Sequence, residues 1–585
     1  MIDGLVPGMV AVVTSASTPA PRLGATLAAE GVGELRKING VWVASWGLPQ
    51  DRPKAHAPLL LTTTVRDDGG RVEPAMIADW LAAGELDRLS RMHPPFAALG
   101  ETPAGLRLAT DLMGFRPLYR CEHDDWKAVS TSARLLWLMR GGGLDRRGVL
   151  LQSQLGWQVG SVTPFEGVRA LDRGESIELS AGGLRSDFAP VPAPRPGAMR
   201  LQDGIDRAAS VLREVLDRYL EDTPAPVLQL TGGQDSRIVL SAIPPARRRG
   251  ITVMTLSVPG AEDVRIAGLI AGRYGMPHLV RGLSDIALLS SEEWFRRVLA
   301  AAVWHDCMAD PLARAITGWA EESFPQGERL SGLGGEIARG FYYTGWVRPT
   351  PISREKSEAL AKWRMLANDA VDSDALAVGH REDAQRIAID QIHAALVDAG
   401  PEWFSATDDL YLHRMHRWAG LSESAVTFSR TLVNPMPDHR FIEVARNLSP
   451  AVKHRAYFLG RLQMALDEDL AGLPLDGRPP PRVFASPGPI GLARIGALRL
   501  RKLARKTRQR LTGSHRPPPG TTILAAKLTE HFRANPGVLE PARETGFLDE
   551  SWMDGIVGGR VEPSPASLAL LMNLLAAGDR PGVRR

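Results

Sequence analysis

The sequence predicts an α/β protein built in two unlike halves. Three observations carry that prediction. Short apolar runs broken by turn signals fill residues 1 to 188. After residue 200, strands alternate with helices, the pattern of βαβ units on a doubly wound parallel sheet. From about residue 350 onward the apolar periodicity is helical.

In the first half VWVASWG, LRLATD, KAVSTSA and ESIELSAGG read as strands, and helical spacing appears near Ile77 to Leu86 and Ala133 to Met139. This is a mixed domain rich in antiparallel sheet. Residues 189–199 recur in proline and read as an extended linker. A long amphipathic helix, Ile205 to Leu220, then precedes the strand PVLQL. A glycine loop and helix follow, then the strand ITVMTLSV, a helix around Asp263 to Tyr274, and HLVRGLS. The second domain spans 200–585. SLALLMNLLAAG, near the C-terminus, is too short to span a bilayer and reads as a helix packed on the body.

Composition narrows the class. The chain has 585 residues, 44% hydrophobic and 23% charged, which excludes a mainly disordered protein. Its two cysteines, Cys121 and Cys307, exclude a disulfide framework and a multi-cysteine zinc site. They fit a reducing, cytoplasmic setting and read as ordinary buried residues. A formal charge of +4 is small for this length and does not by itself imply nucleic acid. Neither a signal peptide nor a membrane span is expected.

One stretch departs from this balance, in a Pro-flanked insertion at about 478–520. Arg494, Arg499, Arg501, Lys502, Arg505, Lys506, Arg508 and Arg510 lie there with no acid among them. The run reads as a solvated helix, or as a clamp at 490–510 for an acidic partner: a peptide, RNA or an anionic membrane surface.

The chemistry concentrates in two glycine loops. In the first, strand Pro226 to Leu230 runs into Thr231-Gly232-Gly233-Gln234-Asp235-Ser236-Arg237 and then into a helix. Glycines let backbone N–H groups face an anion, the helix adds its positive end, and Thr231 and Ser236 offer hydroxyls. Asp235 would repel bare phosphate, so it implies a bridging cation, most simply Mg²⁺. The same residues also suit a plain strand-to-helix turn with Asp235 as its cap. In the second, Leu330-Ser331-Gly332-Leu333-Gly334-Gly335-Glu336-Ile337-Ala338-Arg339 follows about 100 residues later and could equally be a turn after a buried strand.

The first loop resembles the Ser-Gly-Gly-x-Asp-Ser loop of the PP-loop ATP pyrophosphatases, with Thr231 for the opening serine. The second resembles the Ser-Gly-Glu-Gly-Ala-Asp-Glu segment of the asparagine synthetase superfamily. Asn434-Pro-Met-Pro-Asp438 resembles that superfamily's Pro-Phe-Leu-Asp segment, after a helix carrying Asp409, Arg414 and Arg417. Asp111-Leu-Met-Gly114-Phe-Arg116-Pro117-Leu118-Tyr119 resembles its glutamine amidotransferase domain.

The resemblance implies a glutaminase-like, Ntn-type sandwich followed by a PP-loop synthetase domain. It implies ATP and Mg²⁺ as cofactors, with Asp235 and Glu336 on the metal. Leu230, Thr231, Gly232, Gly233, Gln234, Ser236, Ser257, Gly332, Gly334 and Gly335 would surround ATP and pyrophosphate, and Arg237 would meet the pyrophosphate. The departures matter as much. The nucleophilic cysteine expected at position 2 is Ile2, so glutamine hydrolysis is lost. Leu333 replaces a residue that, in β-lactam synthetases, helps deprotonate the amine. No lysine follows in LPLDGRPPPR, where Arg478 or Arg482 would substitute.

The implied activity is ATP-dependent amide formation. A small-molecule or peptide carboxylate is adenylated and passed to ammonia or an amine, as in asparagine synthesis or in the ring closures of β-lactam synthetases and lasso-peptide cyclases. A catalytically degenerate scaffold and a PP-loop tRNA-modifying enzyme are the alternatives. His305 and Asp306 precede the second loop, and His305 reads as a buried, hydrogen-bonded residue rather than a base.

Overall fold

The computed structural model describes residues 5–578, except 16–20, 33–34, 49–56, 63–64, 69, 192, 258–260, 325–326, 344–346, 367–369, 425–430, 487, 490, 492, 494, 499, 502–503 and 505–519. It is a mixed α/β structure with several sheets, one of them parallel.

The first half stacks two antiparallel sheets. One has six strands, in the spatial order Val168–Ala170, Tyr119–Glu122, Trp126–Ser130, Gly8–Thr14, Val41–Trp46 and Arg36–Ile38. The other has five, in the order Gly183–Phe188, Glu175–Ser180, Gly105–Thr110, Ala97–Thr102 and Leu59–Leu60. Period-2 alternation assigns their faces. Met9 and Ala11 point into the core between the sheets, with Leu99, Leu108 and Ile177. Val10 and Val12 point the other way, onto helices Pro21–Ala29 and Ala133–Arg140. Leu60, Ala98 and Ala109 face helix Pro74–Ala83 through Ile77 and Trp80. The result is four layers, helix on sheet on sheet on helix.

The linker closes onto the second half. Arg195 N–H donates to Asn447 Oδ1 at 2.8 Å, and Gly197 N–H donates to the Asn447 carbonyl at 2.9 Å. Helix Leu201–Asp222 then lays Ile205, Leu212 and Leu216 against the second core.

That core surrounds a five-stranded parallel sheet in the order His278–Gly282, Thr252–Ser257, Val227–Gln229, Arg329–Leu330, Leu432–Val433. From Val227–Gln229 the chain first winds outward to one side and then returns to the other. The order therefore reverses beside Val227–Gln229, and the carboxyl ends of Val227–Gln229 and Arg329–Leu330 open the crevice where open α/β sheets take ligands.

The remainder is helical. The expected helix near the C-terminus is Pro565–Gly578, buried on nearly every side, with Asn573 donating to the Ala309 carbonyl at 2.9 Å. Among the described residues no helix is long and apolar enough to cross a membrane. Of the basic run, Arg494, Arg499, Lys502, Arg505, Lys506, Arg508 and Arg510 lie outside the described residues, and Arg501 is exposed.

Candidate functional site

Both glycine loops leave the carboxyl edge of the parallel sheet and touch. A Cβ built on Gly332 would lie 2.3 Å from the Ser236 nitrogen, and one on Gly335 2.7 Å from Asp235 Oδ1. Glycine is required at Gly332 because backbone meets backbone, and at Gly334 because φ is +92°.

This approach brings Asp235 and Glu336 around one cation. Arg339 Nη2 lies 3.1 Å from Glu336 Oε1 and 3.5 Å from Asp235 Oδ2. Glu336 Oε2 accepts the Tyr411 hydroxyl at 2.7 Å. Asp235 Oδ1 is buried with no hydrogen-bond partner among the described residues. Burial pushes the Asp235 carboxyl up to about 6, Glu336 adds to the rise, and Arg339 and Arg478 oppose it. Tyr411 is pushed well above its ordinary value by burial and by the Glu336 charge.

The loop itself is satisfied from within. Gly232 N–H donates to Asp263 Oδ1 at 2.7 Å, and Gly233 N–H donates to Thr231 Oγ1 at 3.0 Å. Thr231 N–H donates to Ser236 Oγ at 3.3 Å. The Asp263 carboxylate thus occupies the Gly232 N–H. Leu230 is fully buried and hands its carbonyl to Thr255 Oγ1 at 2.9 Å. Among the described residues, Gln234 is buried with neither side-chain polar atom partnered, and so is Asn434, just past the strand Leu432–Val433. Buried polar groups without partners are uncommon in folded proteins. Ser257 closes its strand, and its side chain lies outside the described residues.

Three sequence expectations need correction. Arg237 does not face the loop's N–H groups. Its guanidinium is buried and donates at 2.7 Å to both the Leu473 and Pro474 carbonyls, so it braces the segment that carries Arg478. Arg482 is exposed beside Gly472, whereas Arg478 is within electrostatic reach of Asp235, Arg339 and Arg237. His305 is buried as expected, but among the described residues it hydrogen-bonds through neither ring nitrogen, and burial lowers it to about 3. Its neighbour Asp306 accepts Ser132 Oγ at 2.7 Å and Arg134 N–H at 3.0 Å, tying it to the first half.

The other motif residues hold the frame. Asp438 caps helix His439–Asn447 and pairs with Arg440 and His93, 2.9 Å from His93 Nε2. Asp409 pairs with Arg446 and Arg173, and Arg417 donates to the Val162 carbonyl. Asp111 takes N–H groups from Met113 and Phe96, each at 2.8 Å, and so organises the turn at Gly114. Both cysteines are free and buried, with thiols pushed up to about 11 at Cys121 and about 12 at Cys307.

No family model matches the chain, and no curated protein matches it. Among solved structures, one described as the allosteric regulatory enzyme of purine biosynthesis aligns with 48% of this chain and 75% of that one, at 13% identity and a TM-score of 0.20. A likeness that slight carries no argument, and the site stands on its own geometry.

Elsewhere, Asp68, His93 and Asp438 bring three ligand-type atoms within 4.8 Å of one another. Arg440 and His439 already balance those carboxylates, so the group is an ion-pair clasp between the halves. It borders a cavity of about 660 Å³ that also includes Arg207 and Glu443.

Sequence reasoning missed Arg339, Tyr411 and Asp263. Arg339 lies one helical turn beyond Glu336, so its i, i+3 spacing was a readable signal. Tyr411 and Asp263 come from distant helices and had none.

Proposed function

We propose that the chain is an ATP-dependent carbon–nitrogen ligase of the asparagine synthetase type, with a glutaminase-like first half that lacks its nucleophile. The observation that carries this reading is the meeting of the two glycine loops at the reversal of strand order, with Asp235 and Glu336 converging on one cation.

Two adjacent carboxylates, one with an unpartnered buried oxygen, fit a hard divalent ion arriving with a nucleotide. Bound there, Mg²⁺ would neutralise phosphate oxygens. The rest falls to the chain's own residues. Tyr411 orients Glu336 through its hydroxyl. Arg339 and Arg478 supply fixed positive charge next to the loop, Arg478 from the segment where the superfamily has a lysine. Arg237 holds the Arg478 segment in place. In the reaction a substrate carboxylate oxygen bonds to the α-phosphorus of ATP as the bond to pyrophosphate breaks. An amine nitrogen then bonds to the acyl carbon, AMP leaves, and the amine gives up a proton. With no thiol available for glutamine, the amine is free ammonia or belongs to a substrate.

A second reading, a scaffold that no longer binds nucleotide, draws support from the loop N–H groups already taken by Asp263 and Thr231. Calorimetric titration of Mg·ATP into wild type and Asp235→Ala separates the two. Binding by wild type and not by the variant supports the ligase, and a screen of acids and peptides for AMP release follows. No binding by folded wild type removes the ligase reading and leaves the scaffold.

A further inference from the structure

Glu336 divides its surroundings. Oε1 faces Arg339 and the first loop, while Oε2 faces Tyr411. Beyond Tyr411 lies a group of side chains with no part in the nucleotide loops. The Phe341 ring is 5.4 Å from the Tyr411 ring and 4.9 Å from the Tyr342 ring. Two guanidinium groups cover it, Arg364 at 5.5 Å and Arg414 at 5.3 Å, and Arg414 also lies 4.8 Å from the Trp418 ring.

These cations are unusual in what they lack. Arg364 donates to the Phe341 carbonyl. Among the described residues no carboxylate pairs with Arg364 or Arg414, and Arg364 meets Arg339 and Arg414 only as like charges. Gathering arginines without an acid costs folding energy that a bound anion would offset. Arg414 lies over both the Phe341 and Trp418 rings, and among the described residues no acceptor takes its N–H groups, which a carboxylate could take. The backbone is also special here. Ala361–Met365 and Met415–Ala419 are π-helical turns, with Arg364 in the first, Trp418 in the second and Arg414 just before it. Such turns pull side chains out of α-helical register and recur at functional sites.

We propose that Arg364, Arg414, Phe341 and Trp418 form a subsite for an organic acid carried on a flat or apolar body. Its arginines hold the carboxylate and its rings hold the body. That the occupant is the acyl substrate rests on the ligase reading. That an aromatic acid binds here does not. Inorganic phosphate would suit the arginines but not the rings.

The probe is 4-phenylbutyrate, titrated by ligand-observed NMR without nucleotide and compared with 4-phenylbutyramide, butyrate and inorganic phosphate. Wild type should bind the aromatic acid at least tenfold tighter than the amide or butyrate. Arg414→Gln should lose at least tenfold of that affinity, Arg414→Lys should lose less, and both should melt near the wild-type temperature. Their Mg·ATP affinity should not change. Equal binding of acid and amide, an unchanged Arg414→Gln, or phosphate binding as tightly as the acid would overturn the subsite. So would an Arg414→Gln that loses Mg·ATP and keeps the acid. If wild type binds the acid but not Mg·ATP, the subsite stands and the ligase reading falls.

Discussion

Arg339 and Glu336 form an ion pair at 3.1 Å that leaves the same guanidinium 3.5 Å from Asp235. One side chain therefore occupies the ground between two carboxylates that would otherwise repel each other. The arginine holds the two carboxylates together, and it would compete with a divalent ion drawn to the same pair.

Removing that competitor should tighten metal binding. Arg339→Met is expected to bind Mn²⁺ in the absence of nucleotide about tenfold more tightly than wild type, read by the paramagnetic relaxation of water. Without metal the variant should melt several degrees lower, since the carboxylates lose their shared partner. Unchanged Mn²⁺ affinity would show that the ion does not use these two groups.

The loop contact should be intolerant of a single methyl group. In Gly332→Ala the added carbon would sit 2.3 Å from the Ser236 nitrogen, with backbone rather than a flexible side-chain tip in the way. A loss of about 1–3 kcal/mol is expected from overpacking, measured by urea unfolding. Gly272→Ala meets no atom within 4 Å and serves as the control.

A pH dependence follows from Asp306. Burial raises its carboxyl to about 6 from an unfolded value of 3.8, against the pull of Ser132 and Arg134. The folded state then holds the proton more tightly than the unfolded state. This contribution makes stability fall as pH rises from about 4 through 6, then level off. Asn keeps an acceptor oxygen and tolerates the φ of +48° found there. Asp306→Asn should therefore melt higher than wild type at pH 7.5, and the gain should vanish at pH 4. A gain independent of pH would exclude this origin.

The chain should be silent toward glutamine. With thiols pushed up to about 11 and 12, Cys121 and Cys307 should release no ammonia from glutamine and should resist iodoacetamide until the chain is unfolded. Rapid labelling of either in native protein would contradict their burial.

Much of this molecule was legible from residue order because its signals are local. Short apolar runs with turn signals marked four of the strands, Val41–Trp46, Gly105–Thr110, Trp126–Ser130 and Glu175–Ser180, and 3.6-residue periodicity marked helix Leu201–Asp222. Asp235 and Glu336 were found by motif, since a short glycine loop after a strand needs only neighbours in sequence. Arg237 was misassigned for the complementary reason. Its partners, the Leu473 and Pro474 carbonyls, lie more than 230 residues away, and no periodicity reports them.

The sequence by itself determined where strands and helices form and which loops carry carboxylates, because sterics and apolar spacing act over a few residues. Tertiary structure alone decided which charges meet. It set Arg339 between Asp235 and Glu336, Asp263 on the Gly232 N–H, Tyr411 on Glu336, and Arg414 over Phe341 rather than beside an acid. Coulomb and hydrogen-bond terms depend on distance in space, and packing fixes that distance only when the cores close.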